Sequence, residues 1–205
     1  GIYYPYWLPV QRSPFRAVGT FEDDVFEPSG WRPALPNPAF EASDPLDQYW
    51  AAAILARFDP DMVAAAVDAV GYRNPDARDW ILRVLLARQY KLVAHAFKEV
   101  LALEDLQIDA NTIRWTDLEV ELGLVADDAV SYRCTVEGRG RDHVSSPRPR
   151  PECDVAPVIE RLGRRGGFAT IRFERASGPQ RPPLLLHLKG LHGRAIPVAV
   201  ERRVK

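Results

Sequence analysis

Proline placement constrains this chain more than any other feature. Eighteen prolines occur in 205 residues, crowded into 1–45 and 147–183. Each proline fixes φ and removes a backbone donor, so regular helix and central strand are disfavoured where they cluster. Residues 1–44 therefore read as an irregular, wrapping arm. Tyr3, Tyr4, Tyr6, Trp7, Phe15, Phe21, Phe26, Trp31 and Phe40 alternate there with Pro5, Pro9, Pro14, Pro28, Pro33, Pro36 and Pro38. Aromatic rings in that number need an apolar surface to cover them, so the arm is expected to pack over a core.

Three further prolines do the opposite and start helices. Asp44-Pro45, Asp59-Pro60 and Asn74-Pro75 each place an Asx cap before a proline at the first helical position. The first helix would carry Tyr49, Trp50, Ala53, Ile54 and Phe58 on its apolar face. The second would carry Met62, Val63, Ala66, Val67 and Val70, with Gly71 as a C-terminal stop. The third is long, with Trp80, Ile81, Val84, Leu85, Leu92, Val93, Phe97, Val100 and Leu101 at helical spacing. Arg88 interrupts that stripe. A guanidinium there calls for a buried ion pair, a route to the surface, or a ligand contact. His95 lies beside the stripe and reads as a boundary histidine.

Beyond Leu103 the pattern changes to short alternating runs. Ile113 and Trp115 suggest a short strand, and Thr116-Asp117 a capped short helix ending at Gly123. Val130, Tyr132, Cys134 and Val136 share one face of a strand. Residues 137–153 read as a loop, and 155–162 as a short helix. Phe168, Thr170 and Arg172 oppose Ala169, Ile171 and Phe173 on the next strand. Leu184–Leu188 and Ile196–Val200 complete the set, with a hairpin turn near Gly190–Gly193. The expected fold class is α+β: an arm over 1–44, a three-helix block over 45–103, and a small antiparallel, sandwich-like β module over 104–205.

The sequence contains no complete catalytic motif. The sequence has no phosphate-cradling loop, no dinucleotide fingerprint, no HExxH, no CxxC and no nucleophile elbow. No cofactor is expected. Cys134, His143 and Cys153 share a region, but their spacing matches no zinc pattern. Asp59 and Asp61 sit at a helix start, where negative charge suits the dipole, and Asp127-Asp128 reads as a turn. Basic clusters at Arg139/Arg141, Arg148/Arg150, Arg161/Arg164/Arg165 and Arg202/Arg203/Lys205 lie among Pro and Gly. The formal net charge is -1, so no global field points to nucleic acid. No apolar run approaches the roughly 20 residues of a membrane span.

The two cysteines, Cys134 and Cys153, admit two readings. They are buried thiols, or they form one disulfide closing the Arg/Pro-rich loop. The bridge would contribute about 3 kcal/mol and imply an oxidising compartment.

Three segments carry a resemblance. They are Gly30-Trp31-Arg32-Pro33 to Pro36-Asn37-Pro38-Ala39-Phe40, then Tyr49-Trp50-Ala51-Ala52, then Gly71-Tyr72-Arg73-Asn74-Pro75-Asp76-Ala77. Together with the closing Ile196–Arg202 strand, they resemble the C-terminal part of a family of uncharacterised exported bacterial proteins. Members of that family carry an upstream region similar to a divergent kinase-like fold. The resemblance implies a non-catalytic structural or interaction region of a larger exported protein, periplasmic or in the cell envelope. Its partner would be the upstream domain or another polypeptide packing on the arm and helices. It also admits two alternatives. One is the distal lobe of a kinase-like transferase whose catalytic residues lie outside this chain. The other is a self-standing protein- or glycan-binding module.

Overall fold

The computed structural model describes residues 13–30, 35–109, 111–137, 143–144 and 147–204. The arm's Tyr3, Tyr4, Tyr6, Trp7 and Trp31 lie outside the described residues, as do Arg139, Arg141 and Lys205. The described residues form an α+β fold that divides into two compact units, one ending at Ala96 and the other starting at Phe97.

The first unit is helical. A one-turn helix α1 (Pro38–Glu41) precedes α2 (Pro45–Leu55), α3 (Pro60–Asp68) and α4 (Pro75–Ala96). The Asx-Pro starts work as local chemistry requires. Asp44 accepts from the backbone of Leu46 and Asp47, while Asp47 reaches back to the Asp44 amide. Asp59 accepts from Met62, and Asn74 from Asp76. Helix α4 stops at Ala96, earlier than the apolar spacing predicts. Phe97, Val100 and Leu101 are fully buried, but outside the helix, in the second unit. Apolar spacing alone cannot distinguish a helical stripe from a buried turn that happens to share its period.

Part of the expected arm is described, and its residues 21–26 pack on α4 without helix or strand, ahead of a 3-10 turn at Pro28–Gly30. Trp80 Nε1 donates to the Phe21 carbonyl at 3.1 Å, and Lys91 Nζ donates to the carbonyls of Asp23 and Phe26. Arg83 pairs with the Asp23 carboxylate at 2.6 Å. Such donors matter here because a chain without helix or strand has carbonyls to satisfy.

The second unit holds two antiparallel sheets. Strands β1 (Leu103–Asp109), β2 (Thr112–Asp117) and β5 (Glu152–Asp154) form the first, in the order β1-β2-β5. Strands β3 (Ser131–Glu137), β4 (His143–Val144), β6 (Gly167–Ser177), β7 (Leu184–Leu191) and β8 (Arg194–Arg202) form the second, in the order β4-β3-β6-β7-β8. Helices α5 (Leu118–Glu121, capped by Asp117) and α6 (Ala156–Arg165) complete it. Leu103, Ile113 and Trp115 of the first sheet join Tyr132, Ile171, Phe173 and Leu186 of the second, with Val158 and Leu162 of α6, in one buried cluster. The Trp115 ring meets Tyr132 and Phe173 edge-on, with centroids 5.5 and 5.0 Å away.

Two expectations are corrected here. Residues 137–153 are not all loop: β4 and the start of β5 fall inside that span, and Arg148 bridges Tyr132. The disulfide is the second. Cys134 sits on β3 opposite Phe173, and Cys153 on β5 opposite Ile113. Both thiols point into the core from different sheets and are not at disulfide distance.

The β7–β8 hairpin turns in two residues, Leu191 pairing with Arg194 across His192 and Gly193. Both central residues have positive φ, 50° and 78°, the geometry a two-residue hairpin demands. The last turn of α6 rests on this hairpin through glycines. A Cβ at Gly190 would lie 2.3 Å from the Leu162 carbonyl oxygen, and one at Gly163 would lie 2.8 Å from that of Gly193. No side chain fits at either contact.

Candidate functional site

The helical unit leaves much of its apolar surface open. On α2, Tyr49 and Ala52 are buried, yet Trp50 is 67% exposed, with Ile54 one turn further along also exposed. On α3 only Val67 is buried. The remainder of that face, with residues of α4, forms a groove of about 610 Å³ lined by Phe58, Met62, Val67, Val70, Ile81 and Leu85 among others. Met62 and Val70 stand 54% and 69% exposed on its rim. Apart from Tyr72, every residue along the groove is apolar. A small-molecule site would need a few convergent polar groups to fix its ligand, and this groove lacks them. It suits a large apolar surface instead.

The sequence assigns these residues to the inner faces of helices. The structure shows that a single stripe can be half core and half open. Spacing of three and four residues reports that side chains share a face, but not whether the face is covered.

Arg88 is placed at the junction of arm and helix. Its Nε donates to the Glu22 carbonyl at 2.7 Å. Its guanidinium carbon lies 4.1 Å from the centre of the Phe21 ring and 4.6 Å from that of Phe26. The residue that interrupts the apolar stripe thus joins Trp80, Arg83 and Lys91 in receiving the arm: its flat cation lies over two rings and satisfies a carbonyl. His95 is half-buried beside a second cavity of about 580 Å³, near Gln48 and Leu92.

In the second unit the ionisable groups are structural in arrangement. Arg175, with no exposed side chain, pairs with Asp117 Oδ2 at 2.7 Å and lies 2.8 Å from Glu119 Oε2, the latter an ionic contact without hydrogen-bond geometry. Arg181 pairs with Glu119 at 2.7 Å, and the Tyr132 hydroxyl donates to Asp117 at 2.9 Å. Burial opposes the charge on Arg175, but the Asp117 and Glu119 carboxylates outweigh it and raise its pKa. Burial, then Asp117, pushes the Tyr132 phenol well above its ordinary value and keeps it a neutral donor. The two carboxylates balance the two guanidinium groups, and none of the four side chains is more than 12% exposed. Sequence reading missed this cluster because Arg175 meets Asp117 across 58 residues.

Cys134 and Cys153 stay in that core and not at a site, and the side chain of His143 lies outside the described residues. Among the described residues no three His, Cys, Asp or Glu side chains gather as metal ligands. No helix among them is long and apolar enough to cross a membrane. Set against protein families, curated proteins and solved structures, the chain has no match in any of the three.

Proposed function

We propose that the helical unit is a non-catalytic docking module that binds the apolar face of a helix from a partner polypeptide. The observation that carries this reading is the groove between α3 and α4, with its exposed Met62 and Val70 rim and almost no polar lining. A helix laid in such a groove is read through apolar anchors spaced at i, i+3, i+4 and i+7. The open Trp50 and Ile54 on α2 extend the apolar surface the unit offers. The resemblance of residues 30–77 to exported proteins supports placing this docking in the cell envelope. An upstream domain of the same polypeptide would serve as the partner equally well in chemical terms.

Photo-crosslinking tests the reading in the native host. A benzophenone amino acid is installed at Met62 and, as a control, at the exposed Asp79. The reading expects one dominant polypeptide adduct at Met62, mapped to a helix, and cut about 10-fold or more by Val70→Glu. No adduct at Met62, or the same adducts from Asp79, would remove the groove from any docking role.

A further inference from the structure

The end of the second unit where α6 meets the β7–β8 hairpin concentrates positive charge. Residues 160–168 and 189–194 contain five Lys or Arg and one acidic residue, Glu160, in a chain whose formal net charge is -1. Glu160 is taken by Arg164, one turn along α6. Among the described residues, Arg161, Arg165, Lys189 and Arg194 have no acidic partner. The glycine contacts described above bring these cations together: with backbone against backbone at Gly190 and Gly193, the last turn of α6 cannot stand away from the hairpin.

Two apolar side chains stand out among the cations. Phe168, at the start of β6, is 70% exposed, the largest exposure among the described large apolar side chains of this unit. Leu191, at the hairpin tip, is also exposed. Phe168 pairs in register with Lys189, whose Nζ lies 5.8 Å from the centre of its ring. The outer face of the sheet further along is polar, with Thr170, Arg172, Glu174 and His187. Strand β8 and the residues after it also expose Val198, Val200 and Val204, but Phe168 and Leu191 are the exposed apolar side chains that stand among the cations.

We infer that this end of the β unit is a docking surface for an anionic lipid bilayer. Arg161, Arg165, Lys189 and Arg194 would meet headgroups, and Phe168 and Leu191 would enter the interface. Anionic leaflets attract clustered Lys and Arg, and a few inserted apolar groups add short-range affinity. Single-stranded nucleic acid is the competing polyanion, but it is held by aromatic faces on which bases stack. Here one ring already carries an ammonium, and the second apolar group is aliphatic.

Vesicle flotation with the whole chain decides it. The probes are vesicles of phosphatidylglycerol and phosphatidylcholine at 1:3, and vesicles of phosphatidylcholine alone, in about 0.1 M salt. The chain should float with the anionic vesicles only, and less at higher salt. Lys189→Gln with Arg194→Gln should weaken binding by about 10-fold or more. Phe168→Ser with Leu191→Ser should also weaken it severalfold. All four positions are exposed, so circular dichroism should show the fold of both variants intact. No flotation with anionic vesicles, or unchanged binding by either double variant, overturns the proposal. So does binding of a single-stranded oligonucleotide by a chain that leaves the vesicles untouched.

Discussion

The two units handle apolar surface in opposite ways. The β unit draws both sheets and α6 onto one cluster, with Trp115, Tyr132 and Phe173 locked edge to face at its centre. It can even hold four charged groups, because Asp117 and Glu119 pair with Arg175 and Arg181. The helical unit has no sheet to fold over its helices. Helices α2, α3 and α4 cover only part of each apolar stripe, and the arm covers another part through side chains of α4. Among the described residues, twelve of the seventeen large apolar side chains that stand exposed belong to this unit. A closed sheet core resists change because each group is enclosed on every side. An open helix pair tolerates change at its rim and depends on a few clamps.

The largest effect should come from breaking the closed side. Asp117→Ala leaves Arg175 buried with Glu119 as its remaining carboxylate and strips the Tyr132 hydroxyl of its acceptor. Removing one partner of a buried pair costs about 3–5 kcal/mol. Hydrogen exchange read by mass spectrometry should show protection falling throughout β3, β6 and β7 by that amount. A loss under about 1 kcal/mol would mean that water reaches the cluster and that the contrast between the units is overstated.

A smaller effect is expected where arm meets helix. Arg88→Met keeps much of the stem but removes the donor to the Glu22 carbonyl and the cation over Phe21 and Phe26. A charged hydrogen bond and ring contacts of this kind together amount to about 2 kcal/mol. Limited proteolysis should then cut within residues 13–30 well before any cut in the β unit. If arm and β unit became labile together, the clamp would not be local.

What could be read in the sequence divides along the same line. The three helix starts were legible because an Asx cap and a following proline act within four residues, whatever lies around them. The β3 and β6 faces were legible for a similar reason: Tyr132, Cys134 and Val136, then Ala169, Ile171 and Phe173, alternate without a break. Strand β1 was not. Its register shifts between Glu104 and Gln107, and Asp105 adopts a positive φ of 51°, so its side chains do not alternate cleanly. Strand β5 is three residues long and follows Pro151, too short to show a period. Arg88 was legible as an exception in its stripe, but the carbonyl and rings that explain it lie more than 60 residues upstream. The groove could be read as residues and not as a surface, since spacing does not tell which apolar face goes uncovered.

The rim of the groove should give the smallest effect and the sharpest discrimination. Met62→Glu and Val70→Glu place carboxylates on the rim of the groove. In a core either change would bury a charge and unfold the helical unit. On an open rim each should shift stability by no more than about 0.5 kcal/mol. Met62 lies two residues from the α3 start, where an added negative charge suits the helix dipole, so Met62→Glu should be the milder of the two. Denaturant melts of the two variants, read by hydrogen exchange in α3 and α4, give the comparison directly. Near-silent substitutions leave the groove as surface held apolar without any need from the fold, and a surface of that kind is what a partner requires. A loss beyond about 2 kcal/mol in either variant would make the rim part of the core and the two units alike in how they close.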